Sequence, residues 1–435
     1  MSDPIDVLFY YPEDVEKKFE GKLYKAPSGR YQLESKALSL LRLAPKDIIY
    51  ANSIPFNTPY TLVNCHLKEY AAHASTYVIN ECYKGKLIEK VTDETIVQVT
   101  AGMTHLCKWI NQSRIDASLS YNIYEPGNVL IKSAYEETFR IGEGAELLLQ
   151  QLCGEERNKQ GLHLKELGFV KLNYSKPVSR LQAWKQMEAF LKFLSLFSDE
   201  VPRLTSVEYQ HADGQPFHLT MPAGDEVDDD YSHPTYTATE IRDQLTGALE
   251  RFYLNRPDFV SVLDLFNESR ENKTTEVSFL NITTGLEVLH KEFYQDGNDD
   301  LEQKLRENLI ASNLLSRKVN KKWVQAVRYM HLFQEISELK LYKNNVADLN
   351  QTVSLLTESR NYYTHYTKTK KAFWSPNQLV YKNRILREVL RALILKKIGL
   401  DTKAIEMITG RFAGAIYAYS YEANEYSINF KSKGN

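Results

Sequence analysis

A chain of 435 residues is too long for one ordinary hydrophobic core, so two or three domains are expected. Its 43% apolar and 25% charged residues are those of a globular protein, which excludes a wholly disordered or fibrous chain. With 54 basic against 56 acidic residues, a surface coated throughout in nucleic-acid-binding charge is excluded, while a local basic patch is not.

Residues 1–6 carry neither a basic segment nor an apolar stretch behind it, so no secretory signal is expected. No run of about 18 apolar residues occurs, so no membrane span is expected. Cys65, Cys82, Cys107 and Cys153 form no CxxC pair. His66 and His105 lie near two of them, which leaves zinc as an alternative. The expected state is packed, reduced thiols in a cytoplasmic protein without metal or cofactor.

The first half alternates short β-patterned runs with turn signals. Lys22-Leu23-Tyr24 and Arg30-Tyr31-Gln32-Leu33-Glu34 flank Ala26-Pro27-Ser28-Gly29, and Tyr60 to Cys65 and Ser75 to Ile79 follow in the same style. Glu94 to Thr100 alternates with period two, the mark of a half-buried strand. Strand signals recur through Ile131 and from Gly168 to Leu172. A β-rich domain over 1–235, sandwich- or barrel-like, is expected. Within it a helix is expected near 179–198, from Leu181, Trp184, Met187, Leu191 and Leu194. The acidic stretch 221–230 has carboxylates for a hard cation but no calcium-loop spacing, and is read as a linker or loop.

From about Ala238 the periodicity becomes helical: a connector over 236–272, then an antiparallel bundle over 273–435, making an α+β multidomain chain. Phe279, Ile282, Leu286, Leu289 and Phe293 form one stripe, and one or two helices are expected between Leu301 and Leu339. Pro376 opens a last helix that Gly399 stops.

The stripe of the helix ending near 365 runs Val346, Leu349, Val353, Leu356, and the next positions are Arg360 and Tyr363. A guanidinium on a face expected to be buried must meet an acid, a cleft or a partner subunit. Asn361 and His365, four apart, share the adjoining face. From Arg360 to Lys397 there are ten basic residues, Lys368, Lys370, Lys371, Arg384 and Arg387 among them, against one acid, Glu388. This concentration beside a histidine predicts an anionic ligand such as RNA, with Tyr362, Tyr363, Tyr366, Phe373 and Trp374 as rings for unpaired bases. The alternative is a solvated basic face over ordinary core aromatics.

Arg360-Asn361-x-x-x-His365 resembles the R-x4–6-H signature of HEPN-domain ribonucleases. More closely, the run Phe279-Leu280-Asn281-Ile282-Thr283-Thr284-Gly285-Leu286-Glu287-Val288-Leu289-His290, followed by Arg360 to Tyr366, resembles the ApeA-type HEPN proteins of bacterial phage defence. Phe19-Glu20-Gly21-Lys22-Leu23 and Tyr60-Thr61-Leu62-Val63-Asn64 resemble the β-rich domain that precedes HEPN there. A second match to the short signature runs from Arg157-Asn158 to His163. It contains Gly161 in β-patterned surroundings and is read as a loop.

The resemblance implies metal-independent RNA cleavage, with tRNA loops one candidate, by attack of the ribose 2′-OH on the adjacent phosphorus. It gives His365 the general acid–base role, Arg360 the phosphate clamp and Asn361 an orienting role, with Glu287, Tyr363 and Tyr366 in support. It further implies abortive-infection defence, a phage-derived trigger, and a homodimer that pools two copies of the motif through the bundle. Five residues are about 140° around one helix, so a single helix converges the pair poorly, in keeping with a dimer. His290 is expected to be structural. Tyr366 directly follows His365, unlike the His-x-Tyr of adenylylated HEPN toxins, so that regulation is not expected. The competing reading is a non-catalytic HEPN module that binds RNA or a protein partner as a sensor. No Walker loop, GxGxxG or HExxH motif and no localised carboxylate pair supports another enzyme class.

Overall fold

Strand β1 (Ile5–Tyr11) shows what the first strands enclose: Ile5, Val7, Phe9 and Tyr11 all turn to one core. The computed structural model describes residues 4–26, 30–36, 46–70, 75–89, 94–112, 115–118, 128–142, 144–158, 161–219, 236–271, 274–294, 307, 321–366 and 372–410. The acidic stretch 221–230, Lys368, Lys370, Lys371 and almost all of 295–320 lie outside them. The chain divides into two units, residues 1–191 with 202–232, and residues 192–201 with 233–435.

In the first unit β1 is followed by β2 (Asp14–Lys25), β3 (Tyr31–Ser35), β4 (Lys46–Ser53), β5 (Pro59–Tyr70) and β6 (Ser75–Lys84). Antiparallel pairing runs β6-β3-β2-β1-β4-β5, and β5 returns to β6, closing six strands into a ring. Closure removes free edges and gives Leu23, Leu33, Ile49, Leu62 and Ile79 a common interior. Cys65 and Cys82 belong to that interior, where burial pushes the Cys65 thiol well up and keeps it unreactive. Among the described residues no group of three His, Cys, Asp or Glu is placed to hold a metal.

The sheet continues beyond β6 through β7 (Thr95–Met103), β10 (Tyr135–Arg140), β11 (Ala145–Asn158), β12 (Gly161–Ser179), β13 (Leu204–His211) and β14 (Pro216–Leu219), in the order β6-β14-β13-β7-β12-β11-β10. β8 (Ile115–Ser118) and β9 (Asn128–Ile131) form a separate ribbon, and α1 (Leu106–Ile110) is a short helix. The second R-x4–6-H match corrects its expected loop. β11 and β12 pair to the hairpin tip, Arg157 opposite Leu162 and Asn158 opposite Gly161. Arg157 and His163 therefore stand on opposed strands, because a long antiparallel ladder outweighs the breaking tendency of one glycine.

Helix α2 (Arg180–Leu194) starts on the β unit, where Arg180 donates to the Tyr83 hydroxyl at 2.7 Å and Phe190 packs on Trp109. Its last residues belong to the helical unit, with Phe193 against Phe252. That unit holds a 3-10 turn (Ala238–Ile241), α3 (Arg242–Leu254), α4 (Arg256–Glu271), α5 (Thr275–Tyr294), α6 (Lys321–Glu335), α7 (Lys340–Asn345), α8 (Leu349–His365) and α9 (Pro376–Lys397). The expected α5 stripe buries Phe279, Ile282, Leu286 and Leu289. Gly285 lets α9 approach, since a Cβ there would meet a Leu390 methyl at 2.9 Å. Ser375 caps α9 through a capping box with Gln378, and Pro376 sits in its first turn. Gly399, at φ 89°, ends it where Arg251 donates to the Ile398 carbonyl at 3.4 Å. A further helical stretch, 402–410, follows, so α9 is not the last helix.

Candidate active site

The apolar stripe of α8 buries Val353, Leu356 and Tyr363, and Arg360 lies among them as the sequence pattern requires. Its partner is a half-buried acid from α5. Arg360 donates from Nε to Glu287 Oε1 at 3.0 Å and from Nη2 to Oε2 at 3.3 Å, a bidentate pair, and from Nη1 to Thr364 Oγ1 at 3.2 Å. The Tyr329 phenol also lies against this guanidinium, so Arg360 is held from three sides. The Arg360 side chain is 19% exposed.

Two residues not anticipated from sequence complete the constellation. From α6, Tyr329 donates to Glu287 Oε1 at 2.7 Å and Gln325 Nε2 donates to the same oxygen at 3.3 Å. Burial, followed by the Glu287 carboxylate, pushes the Tyr329 phenol well up, so it remains a donor. Gln325 and Tyr329 are four apart on a helix that otherwise buries Ala326, Val327 and Met330, and that spacing was the available signal. Glu287 thus accepts from three side chains on two helices, and Arg360 is oriented by a site built ahead of any ligand.

His365 is exposed at the carboxyl end of α8, one residue before the left-handed Tyr366 that closes the helix. Asn361 donates to the Thr357 carbonyl at 2.8 Å. Tyr363 is core: its hydroxyl donates to the Trp374 carbonyl at 2.9 Å, while the Trp374 amide donates to Ser359 Oγ at 2.8 Å. Burial and then Glu276 push the Tyr363 phenol up to about 12.

The basic flank is not one surface. Arg387, expected to meet RNA, instead donates to the Ser269 carbonyl at 2.8 Å and to the Ser269 and Ser278 hydroxyls. Arg391 is fully buried and donates to Glu388 at 3.0 Å, and Arg270 donates to the Ser198 carbonyl at 2.8 Å. Burial outweighs these guanidinia at Glu388 and pushes its carboxyl up to about 7. Lys396 pairs with Glu338 at 3.1 Å, and the Lys397 ammonium lies 3.5 Å from the Tyr294 ring centroid. The cause is α9 itself, whose residues 388–395 are buried on every side. Arg384 is half-buried on the same helix. A neighbouring pair, His290 Nε2 and His331 Nδ1 at 3.2 Å, is buried between α5 and α6.

The family model described as ApeA N-terminal domain 1 matches residues 5–238, which are 234 of the chain's 435 residues, and that described as Apea-like HEPN matches 280–404. The chain belongs to the ApeA-like HEPN family. Glu287, Gln325, Tyr329, Arg360, Asn361 and His365 all fall within the HEPN match, and Arg157 and His163 fall within the amino-terminal one. No curated protein and no solved structure matches the chain. No helix among the described residues is long and apolar enough to cross a membrane.

Proposed function

We propose that the chain is an endoribonuclease of the HEPN type that acts in anti-phage defence. The observation that carries the reading is Arg360. It is fixed bidentately by Glu287, is partly exposed, and shares a helix with the exposed His365. A guanidinium N–H suits a phosphodiester oxygen, and its bond strengthens as charge builds on a phosphorane-like transition state. His365 takes the proton from the ribose 2′-OH as that oxygen attacks the neighbouring phosphorus, and an imidazolium returns a proton to the departing 5′-oxygen. In a homodimer the His365 of one bundle, acting first as base and then as acid, serves the phosphate held by Arg360 of the other, and Asn361 orients the groups around them. The products carry a 2′,3′-cyclic phosphate and a 5′-OH. The amino-terminal half restrains the bundle until a phage-derived signal arrives, because unrestrained cleavage of host RNA, tRNA included, would be toxic.

One observation favours the second reading, a non-catalytic RNA- or protein-binding module: Glu287 already neutralises the Arg360 charge. The assay that separates the two is incubation of the full chain with total RNA and tRNA in excess EDTA, from resting and phage-infected cells. Wild type is expected to cut, and Arg360→Ala and His365→Ala to lose at least about 100-fold, the lower range for general acid–base catalysis. Alanine variants as active as wild type would overturn the assignment. RNA binding with no cleavage in either extract would support the second reading.

A further inference from the structure

Five aromatic residues cluster around the end of α8, and the structure separates them by exposure. Tyr363 and Trp374 are buried. Tyr362 stacks on Phe373, with centroids 4.0 Å apart and planes 22° from parallel. Tyr366 differs, being 67% exposed while its ring rests against Tyr362 at 6.1 Å and edge-on to Tyr363 at 6.3 Å. Its backbone is left-handed, φ 47° and ψ 32°, a region that disfavours bulky side chains. Glycine or asparagine would close the helix with less strain. The ring, and not the turn, therefore accounts for a tyrosine here.

Resting on the ribonuclease reading above, we propose that Tyr366 is a stacking platform for an unpaired base of single-stranded RNA, flanking the phosphate held by Arg360. Tyr366 directly follows His365, and the Arg360 Nη1 bonds Thr364, so phosphate donors, histidine and ring belong to the last two turns of one helix. The Tyr362–Phe373 stack braces the ring from behind, so little side-chain freedom is lost when a base covers it. Any base can stack there, so the platform selects for unpaired RNA and not for sequence.

The test uses the full chain carrying His365→Ala, titrated with a single-stranded oligoribonucleotide containing 2-aminopurine, whose fluorescence is quenched by stacking. Added Tyr366→Phe should keep binding and quench. Added Tyr366→Asn, which suits the left-handed backbone but lacks the ring, should weaken binding about 5- to 150-fold and abolish the quench. Binding of a fully paired duplex should not respond to either change. Unchanged binding and quench in Tyr366→Asn, or no oligonucleotide binding at all, overturns the proposal. So does loss of binding that coincides with conversion of a dimer to monomer in light scattering, because the ring would then serve a partner subunit. With His365 intact, Tyr366→Asn should raise KM. If wild type cuts and Tyr366→Asn cuts identically, the platform fails and the nuclease stands. If the quench follows the ring but nothing is cut, the nuclease reading fails and the platform stands.

Discussion

At Arg360 two effects of Glu287 oppose one another, and kinetics can weigh them. The carboxylate cancels a positive charge that a phosphate would seek, yet it also fixes the guanidinium by two bonds, with Tyr329 and Gln325 holding it in turn. Replacing Glu287 by Gln keeps one acceptor and removes the charge. RNA should then bind more tightly, so KM falls. Turnover should fall about tenfold or more, because small misplacements of a catalytic group are expensive in rate. A faster kcat in Glu287→Gln would mean that the carboxylate acts as a brake. Tyr329→Phe, which deletes only the hydroxyl behind Glu287, should lower kcat in the same direction and leave RNA affinity nearly unchanged. The sequence showed Arg360 on a core stripe and therefore the need for an acid. It did not show Tyr329, because nothing local ties a tyrosine on α6 to a glutamate 42 positions earlier on α5.

Between elements, the contact of α5 with α6 carries its own pH dependence. His290 is buried 3.2 Å from His331, near Arg328, with Glu335 on the far side of His331 at 3.7 Å. Burial, then His331 and Arg328, hold the His290 imidazole down to about 4. The unfolded imidazole, near 6.5, takes up its proton first, so stability is present above that value and drains away as pH falls toward 4. Between pH 7 and pH 5 the loss is about 2 kcal/mol, readable as a lower urea midpoint by helical circular dichroism. His290→Gln should remove that dependence, and an equal loss in both proteins would sink the idea. Element boundaries were largely legible: the α5 stripe, the proline start of α9 and its glycine stop all follow local rules. What was not legible was which way a charge faces. Arg387 and Arg391 look like a basic surface in a linear count, but α9 sinks into the core toward its carboxyl end, so they are matched internally. Ring closure of the barrel was hidden for a similar reason, since β6 pairs with β3, β5 and β14 and no local pattern announces a third partner.

At the scale of the whole molecule the question is how Arg360 and His365 reach one phosphate. Arg360 turns toward α5 and α6, whereas His365 is exposed five residues on, about 7.5 Å along the axis and about 140° around it. Pairing two bundles about a two-fold axis would let the histidine of one subunit meet the arginine of the other. Complementation tests this directly. Arg360→Ala and His365→Ala, each inactive alone, are co-expressed with different tags and the mixed dimer is isolated through both. If a site draws its arginine and its histidine from different subunits, one of the two sites in the mixed dimer is intact, and about half of wild-type activity should return. If each subunit uses its own pair, both sites are damaged and the mixed dimer stays as silent as its parents. A monomeric wild type at micromolar concentration would reject the shared cleft outright, and the arginine and histidine would then have to act from one helix.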